Sequence, residues 1–368
     1  MGVEYGAVQW NRQKRLYDLT LAGGVAAFLA VFISVTKLRF PFITDEILLM
    51  RAFGIAAFVL LHIILCIGPI CRLNTRFLPL LYNRRHAGVT MALLSLVHAV
   101  LVVTTYHAGG DTNPILSILI SDSSRGSPLR IPFQPLGFVA LVIILLMAAT
   151  SHDFWLVNLT APVWKALHML VYVAYALLVL HVALGVLQAE VSSVYVAMTT
   201  IGFVTVLGLH VTASLKEKLA DSELKTPRLA DEEFIDVGAV TDIAENRARI
   251  VCLSGERVAI FKYEGKISAV SNVCQHQNGP LGEGRVINGC ITCPWHGYQY
   301  LPETGASPPP FLEKVPTFNV RVKEGRVFVH PKPNPAGMRS EPALIESSIV
   351  RHKHRTDQSL ITSATSIA

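Results

Sequence analysis

Residues 271–300 read SNVCQHQNGPLGEGRVINGCITCPWHGYQY. One residue separates Cys274 from His276, sixteen follow, and two separate Cys293 from His296. Two thiols and two imidazoles in a pair of short clusters form a metal-binding set, and four such ligands can hold Zn tetrahedrally. The surrounding chain is a series of short β-branched runs: RARIVCL at 247–253, RVAIFKY at 257–263, KISAVSNV at 266–273, FNVRV at 318–322 and RVFVH at 326–330. Gly and Asn turns punctuate them, so residues 234–333 read as a small all-β domain. Cys252 and Cys290 lie in or beside these runs and read as small apolar core residues.

Outside this domain the composition changes. Residues 219–233 (LADSELKTPRLADEE) are polar, contain Pro227 and read as a linker, while the Ser-, Thr- and Pro-rich residues 334–368 are expected to be a disordered tail. The whole chain of 368 residues is 51% hydrophobic and 16% charged, with a mean hydropathy of +0.45. That balance excludes an ordinary soluble protein and places the apolar excess in residues 1–218. Uncharged runs near 19–36, 52–71, 87–107, 131–151, 166–189 and 191–215 are each of the length needed to span a bilayer. The first is followed by Lys37 and Arg39 rather than by a small-residue cleavage site, so it is read as a helix and not as a signal peptide.

The net charge of +6 resembles a nucleic-acid footprint until it is located. Residues 1–218 carry 15 Lys/Arg and 9 Asp/Glu, and residues 219–368 carry 17 of each. The excess therefore lies among the spans, where basic residues orient helices. With the N-terminus inside, ten of the fifteen fall in cytoplasmic segments: Arg12, Lys14, Arg15, Arg72, Arg76, Arg84, Arg85, Lys165, Lys216 and Lys218. Both termini are expected in the cytoplasm of a multi-pass inner-membrane protein, with no nucleic-acid partner. The 108–130 loop becomes the longest outer feature and a docking place for an external acceptor.

Ionisable side chains inside spans are costly and mark function by default. The apolar part holds eight histidines: His62, His86, His98, His107, His152, His168, His181 and His210. Assuming that the third and fifth spans run in one direction, His86 is level with His168 and His98 with His181. Two facing imidazoles are what six-coordinate haem iron requires. The spacings of twelve and thirteen residues leave angular offsets of about 120° and 140° between the histidines of each helix. A kink, a helix rotation or side-chain reach must absorb them. His62, at mid-depth in the second span, competes with His86 for the fourth place. His107, His152 and His210 read as packed, hydrogen-bonded residues.

The Cys-x-His and Cys-Pro-Trp-His-Gly pattern, followed by Thr304, Gly305 and Pro308 to Pro310, closely resembles the Rieske 2Fe-2S family over roughly residues 230–332. The resemblance implies that Cys274 and Cys293 bind one iron and His276 and His296 the other, with both histidines near the tip where partners dock. Two further cysteines of respiratory-type members fall on Gly279 and Trp295, so their disulfide is not expected here. A sulfur-bonding Ser falls on Tyr298, and a sulfur-bonding Tyr is kept as Tyr300. Losing one of two such hydrogen bonds puts the expected potential nearer the ferredoxin-like end of the Rieske range.

Arg84-Arg85-x-x-Gly88 leading to His98, and Trp164-Lys165-x-x-His168 leading to His181, resemble the ferric-reductase-like transmembrane domain over roughly residues 15–215. The resemblance implies one or two b-type haems on His98, His168 and His181; His86 is the candidate fourth ligand by its depth beside His168, at a position where this subfamily need not have one. The expected architecture is thus a six-helix haem-binding membrane bundle, residues 1–218, followed by the Rieske domain. Ferric reductases and NADPH oxidases normally receive electrons from a fused flavin and nicotinamide domain, but no GxGxxG follows residue 219. The expected function is transmembrane electron transfer, as an oxidoreductase or electron-transport component. A cytoplasmic reductase would supply the cluster, and a periplasmic or quinone acceptor would drain the haems. Two alternatives remain open: flow from quinol through the Rieske domain to a cytoplasmic oxygenase, and a haem-free membrane anchor for a Rieske redox sensor.

Overall fold

Four dipeptides shape the β half of the chain. Ser254-Gly255, Glu264-Gly265, Asn288-Gly289 and Glu324-Gly325 each place two consecutive residues at positive φ, between 48° and 85°. This is the type I′ turn, whose twist matches that of paired strands. The computed structural model of the protein describes residues 12–81, 83–120, 132–159, 161–185, 187, 192–223, 233–276, 278–295 and 297–345. It divides the chain between Lys218 and Leu219 into two compact units.

In the C-terminal unit the strands are β1 (Ile235–Ala239), β2 (Arg247–Leu253), β3 (Glu256–Tyr263), β4 (Lys266–Ser271), β5 (Arg285–Ile287), β6 (Cys290–Thr292), β7 (Gln299–Tyr300), β8 (Thr317–Phe318), β9 (Val320–Lys323), β10 (Arg326–Val329) and β11 (Ala343–Leu344). They form three antiparallel sheets, ordered β1-β10-β9, β11-β4-β3-β2 with β8 also on β4, and β5-β6-β7. Inward residues of the first two, among them Val237, Val327 and Val329 against Leu253, Val258 and Ile260, share one core. The third sheet carries the Cys293 loop between β6 and β7.

The ordered chain extends past the expected boundary at 333. Ala343 and Leu344 pair with Ile267 and Lys266 on β4, and the Asn334 amide donates to Thr317 Oγ1 and Asn319 Oδ1. A two-residue strand on an open sheet edge is too short to produce a periodic signal, so composition alone misread residues 334–345 as tail. Residues 346–368 lie outside the described residues.

The N-terminal unit is helical: α1 (Arg12–Arg39), α2 (Asp45–Leu73), α3 (Leu78–Leu81), α4 (Arg84–Tyr106), α5 (Pro114–Leu119), α6 (Phe133–Ala149), α7 (Asp153–Asn158), α8 (Ala161–Met169), α9 (Val171–Leu184) and α10 (Ser193–Glu223). Among the described residues, five helical segments are long and apolar enough to cross a membrane: 14–39, 45–73, 84–106, 163–184 and 193–219. The expected span at 131–151 appears as α6, an apolar helix of 17 residues, so the count of six spans is not confirmed. Its length, about 25 Å at 1.5 Å per residue, is at the short limit for a crossing. α10 runs through Glu223, which makes the first residues of the expected linker helical, and 224–232 lie outside the described residues.

Helix α2 packs on α4, and α6 on α9, with α4 also touching α6. Small residues at the contacts, Ala57, Ala87, Ala92, Ala140 and Ala174, are buried and let the backbones approach. Between α8 and α9 the Leu170 N–H bonds the Leu167 carbonyl three residues back. That tightened turn changes the helical phase between His168 and His181, where the sequence required an offset to be absorbed.

Candidate metal centres

The two cysteine loops of the β unit are folded alike. Cys274 N–H bonds the Gly279 carbonyl at 2.9 Å and Asn278 N–H bonds the Cys274 carbonyl at 2.7 Å. Cys293 N–H bonds the Tyr298 carbonyl at 2.7 Å and Gly297 N–H bonds the Cys293 carbonyl at 3.0 Å. Each loop turns through a left-handed fifth residue, Asn278 at φ 58° and Gly297 at φ 72°, residue types that tolerate that region. The loops meet at Gly279, where a Cβ would stand 2.8 Å from Cys293 Sγ and 3.1 Å from Trp295 Cγ. The indole and the bare glycine backbone thus close the contact at the two positions where respiratory-type proteins have a disulfide. Neither of those positions is a cysteine here, and none of the six cysteines is in a disulfide.

Cys274, Cys293 and His276 are all buried. The Tyr300 hydroxyl lies 3.4 Å from Cys274 Sγ and accepts the Gln275 N–H at 3.0 Å. Burial first, then the neighbouring Cys274, hold the Tyr300 phenol well above its ordinary range. Tyr298 is turned differently: its hydroxyl donates to Glu313 Oε2, and its ring lies 5.2 Å from that of His276 at an interplanar angle of 19°. His276, expected near the tip of the cluster-binding loops, is buried with its ring stacked on that of Tyr298. His296 lies outside the described residues, and among the described residues no three His, Cys, Asp or Glu side chains converge as a metal site. Cys290 is a buried core residue whose thiol burial pushes up, as the sequence suggested.

In the helical unit, His98 Nδ1 bonds the Met50 carbonyl at 2.9 Å and His181 Nδ1 bonds the Phe133 carbonyl at 2.8 Å. A carbonyl can only accept, so each Nδ1 carries the proton and each Nε2 keeps its lone pair. His98 and His181 lie within electrostatic range of one another.

Two family models match the chain: "Rieske [2Fe-2S] domain" over residues 233–319 and "Ferric reductase like transmembrane component" over residues 53–179. The chain joins a Rieske domain to a ferric-reductase-like transmembrane domain. It is 30% identical over 106 residues to the alkene monooxygenase system ferredoxin component of Xanthobacter autotrophicus, covering 28% of this chain and 87% of that one. It is 35% identical over 94 residues to cholesterol 7-desaturase nvd of Xenopus laevis, covering 25% of this chain but only 19% of that one. Among solved structures, the complex of reduced oxygenase and oxidized ferredoxin in carbazole 1,9a-dioxygenase matches at 27% identity and TM-score 0.27, covering 28% of this chain and 98% of that one. Together the two domains make this a membrane-associated electron-transfer protein whose Rieske domain supports a 2Fe-2S cluster.

The remaining histidines of the ferric-reductase-like domain differ in what their ring nitrogens face. His168 Nδ1 bonds the Trp164 carbonyl at 2.9 Å, its ring stacks on that indole at 3.7 Å, and its buried Nε2 makes no hydrogen bond of normal geometry, though the Met147 carbonyl is also close to the imidazole. Arg84 and Arg85 lie within electrostatic range of it. His86, half-buried at the start of α4, bonds Asp18 Oδ1 at 2.7 Å, and Asn83 donates to the same carboxylate oxygen at 2.9 Å. His62 is buried with Nδ1 on the Phe58 carbonyl, but its Nε2 edge is pressed on α10, where a Cβ at Gly202 would stand 2.5 Å from Nε2. His107, His152 and His210 bond Ser117 Oγ, the Phe154 N–H and the Tyr172 hydroxyl respectively.

Sequence reasoning missed four partners: Asp18, Glu313, and the glycines Gly54 and Gly137 that lie against His98 and His181. A signal for the last pair was present, because each glycine precedes its histidine by 44 residues.

Proposed function

We propose that this protein passes single electrons across a membrane, from a cytoplasmic reductase to a periplasmic or quinone acceptor. Cys274, His276, Cys293 and His296 hold the 2Fe-2S cluster, His98 and His181 hold one b-type haem, and His168 with His86 holds a second. When bound, these groups supply the one-electron carriers. The chain's own residues prepare the ligands. Carbonyls of Met50, Phe133 and Trp164 keep the proton on Nδ1 of His98, His181 and His168, leaving each Nε2 as the donor to iron. Asp18 plays the corresponding part for His86, as a carboxylate behind a metal-bound imidazole. His62 is set aside for the fourth place, since the α10 backbone occupies the side of Nε2 where a metal would have to stand.

The observation that carries this reading is the pair His98 and His181, within electrostatic range of one another and each with Nδ1 tied to a carbonyl inside an apolar bundle. Purified full-length protein should contain two non-haem irons and two haems per chain by metal analysis, optical and EPR spectroscopy. One haem would remove His86 from the ligand set, and absence of haem would leave the membrane half as an anchor.

One observation favours a second direction of flow. The chain covers 87% of a relative named as the ferredoxin component of a monooxygenase system. If this domain serves likewise, quinol reduces the haems and the cluster feeds an oxygenase. A cluster potential well above both haem potentials in a redox titration supports that direction, and one at or below them supports outward flow.

A further inference from the structure

His98 and His181 are 83 residues apart, and the same offset relates the carbonyl and the glycine that lie against each. It joins Met50 to Phe133, whose carbonyls take the two Nδ1 protons, and Gly54 to Gly137, one turn further along the same helices. A Cβ at Gly54 would stand 2.8 Å from His98 Nδ1, 3.0 Å from Cε1 and 3.3 Å from Cγ. A Cβ at Gly137 would meet the same three atoms of His181, at 2.7, 2.7 and 3.2 Å. The offset continues into the core, where Ala57 and Ala140, Leu61 and Ile144, Met91 and Ala174, and Ala92 and Tyr175 are all buried. The hairpins α2–α4 and α6–α9 are thus two copies of one half-site.

Helix geometry explains why the notch must be glycine. Side chains tilt towards the helix N-terminus, so the residue four positions on covers the carbonyl one turn before it. For an imidazole on another helix to reach that carbonyl, the covering residue must lack a Cβ.

We propose that Gly54 and Gly137 are paired positioning residues which, with the carbonyls of Met50 and Phe133, fix the planes of His98 and His181 and leave the Nε2 of each free to hold one b-type haem. This rests on the reading of His98 and His181 as the ligands. A methyl group at 2.7–2.8 Å cannot coexist with the ring. The carbonyl bond also holds the ring in place, so a methyl there must displace Nε2.

The test is EPR and optical spectroscopy of full-length protein purified in detergent. Gly54→Ala and Gly137→Ala are each expected to lose the low-spin haem signal and gain a high-spin one, with the 2Fe-2S signal of the same samples retained. Gly208→Ala, where an added Cβ meets nothing within 4 Å, should leave both signals as in the parent. If Gly54→Ala fails to accumulate, the double variant Gly54→Ala with His98→Gly, supplied with free imidazole, removes the ring that the methyl strikes. Recovered accumulation and low-spin haem support the proposal, and continued failure overturns it. An unchanged low-spin signal in both alanine variants, beside loss of haem in His98→Ala, overturns the positioning role alone. Full haem in both His98→Ala and His181→Ala overturns the ligand assignment itself.

Discussion

Because the Tyr300 oxygen already accepts the Gln275 N–H, its own proton is left for Cys274 Sγ, 3.4 Å away. A donor to sulfur stabilises the more negative, reduced state, so Tyr300→Phe should lower the cluster potential. A hydrogen bond is worth about 1 kcal/mol, which for one electron is roughly 40 mV. EPR-monitored titration checks this, and an unshifted midpoint would refute the bond. Tyr298 contributes no such donor because its hydroxyl is committed to Glu313. A second residue-scale expectation concerns Gly279, whose added Cβ would stand 2.8 Å from Cys293 Sγ. Gly279→Ala should therefore reduce iron per chain and the 2Fe-2S signal, while haem absorbance is kept. The candidate pair Cys274 and Cys293 was legible from its spacing with the histidines, since residue order in a motif is a local property of sequence. The packing of Gly279 on Trp295 was not, because it depends on how two loops sixteen residues apart close on each other.

At the scale of elements, the hairpins were the most legible features: Ser-Gly, Glu-Gly and Asn-Gly between β-branched runs mark type I′ turns without reference to anything distant. The pairing of β1 with β10 was not legible, since it joins residues about ninety apart. An ion pair helps to hold it, with Arg326 Nε donating to Asp236 Oδ2 at 2.6 Å. Partial burial raises the Asp236 pKa, but the bonds from Arg326 and from the Gly238 N–H outweigh it and leave the carboxyl below its ordinary value. A depressed carboxylate pKa adds stability that is present above the unfolded value near 3.9 and is lost as pH falls through the folded one. Arg326 is half-exposed, so solvent screening keeps the contribution of the pair small. Asp236→Asn should melt slightly lower than the parent at pH 6, with the gap closing as pH falls from about 5 to 3. A gap that widens towards low pH would contradict the sign. Helix positions in the other unit followed from apolar runs. The turn at Leu170 carries no Pro or Gly to announce it.

For the whole molecule, the division between Lys218 and Leu219 coincides with an abrupt change in charge, a contrast visible in composition alone. The duplicated half-sites escaped the sequence because the shared positions are few and 83 residues apart, and glycine is common in membrane helices for many reasons. What the fusion does is decided by whether the two iron sites lie in series. If electrons enter at the cluster, Cys274→Ser should abolish haem reduction by the cytoplasmic donor system while dithionite still reduces the haem fully, because the carrier is lost and the haem site is untouched. If instead quinol supplies the membrane half, a quinol analogue should reduce the haems of Cys274→Ser as fast as those of the parent, and the variant's defect should appear in reduction of a cytoplasmic acceptor. Stopped-flow spectra of parent and variant with each reductant separate the two, since series order predicts opposite patterns. Equal haem reduction by the cytoplasmic donor in both proteins would show that the Rieske domain is not on the path.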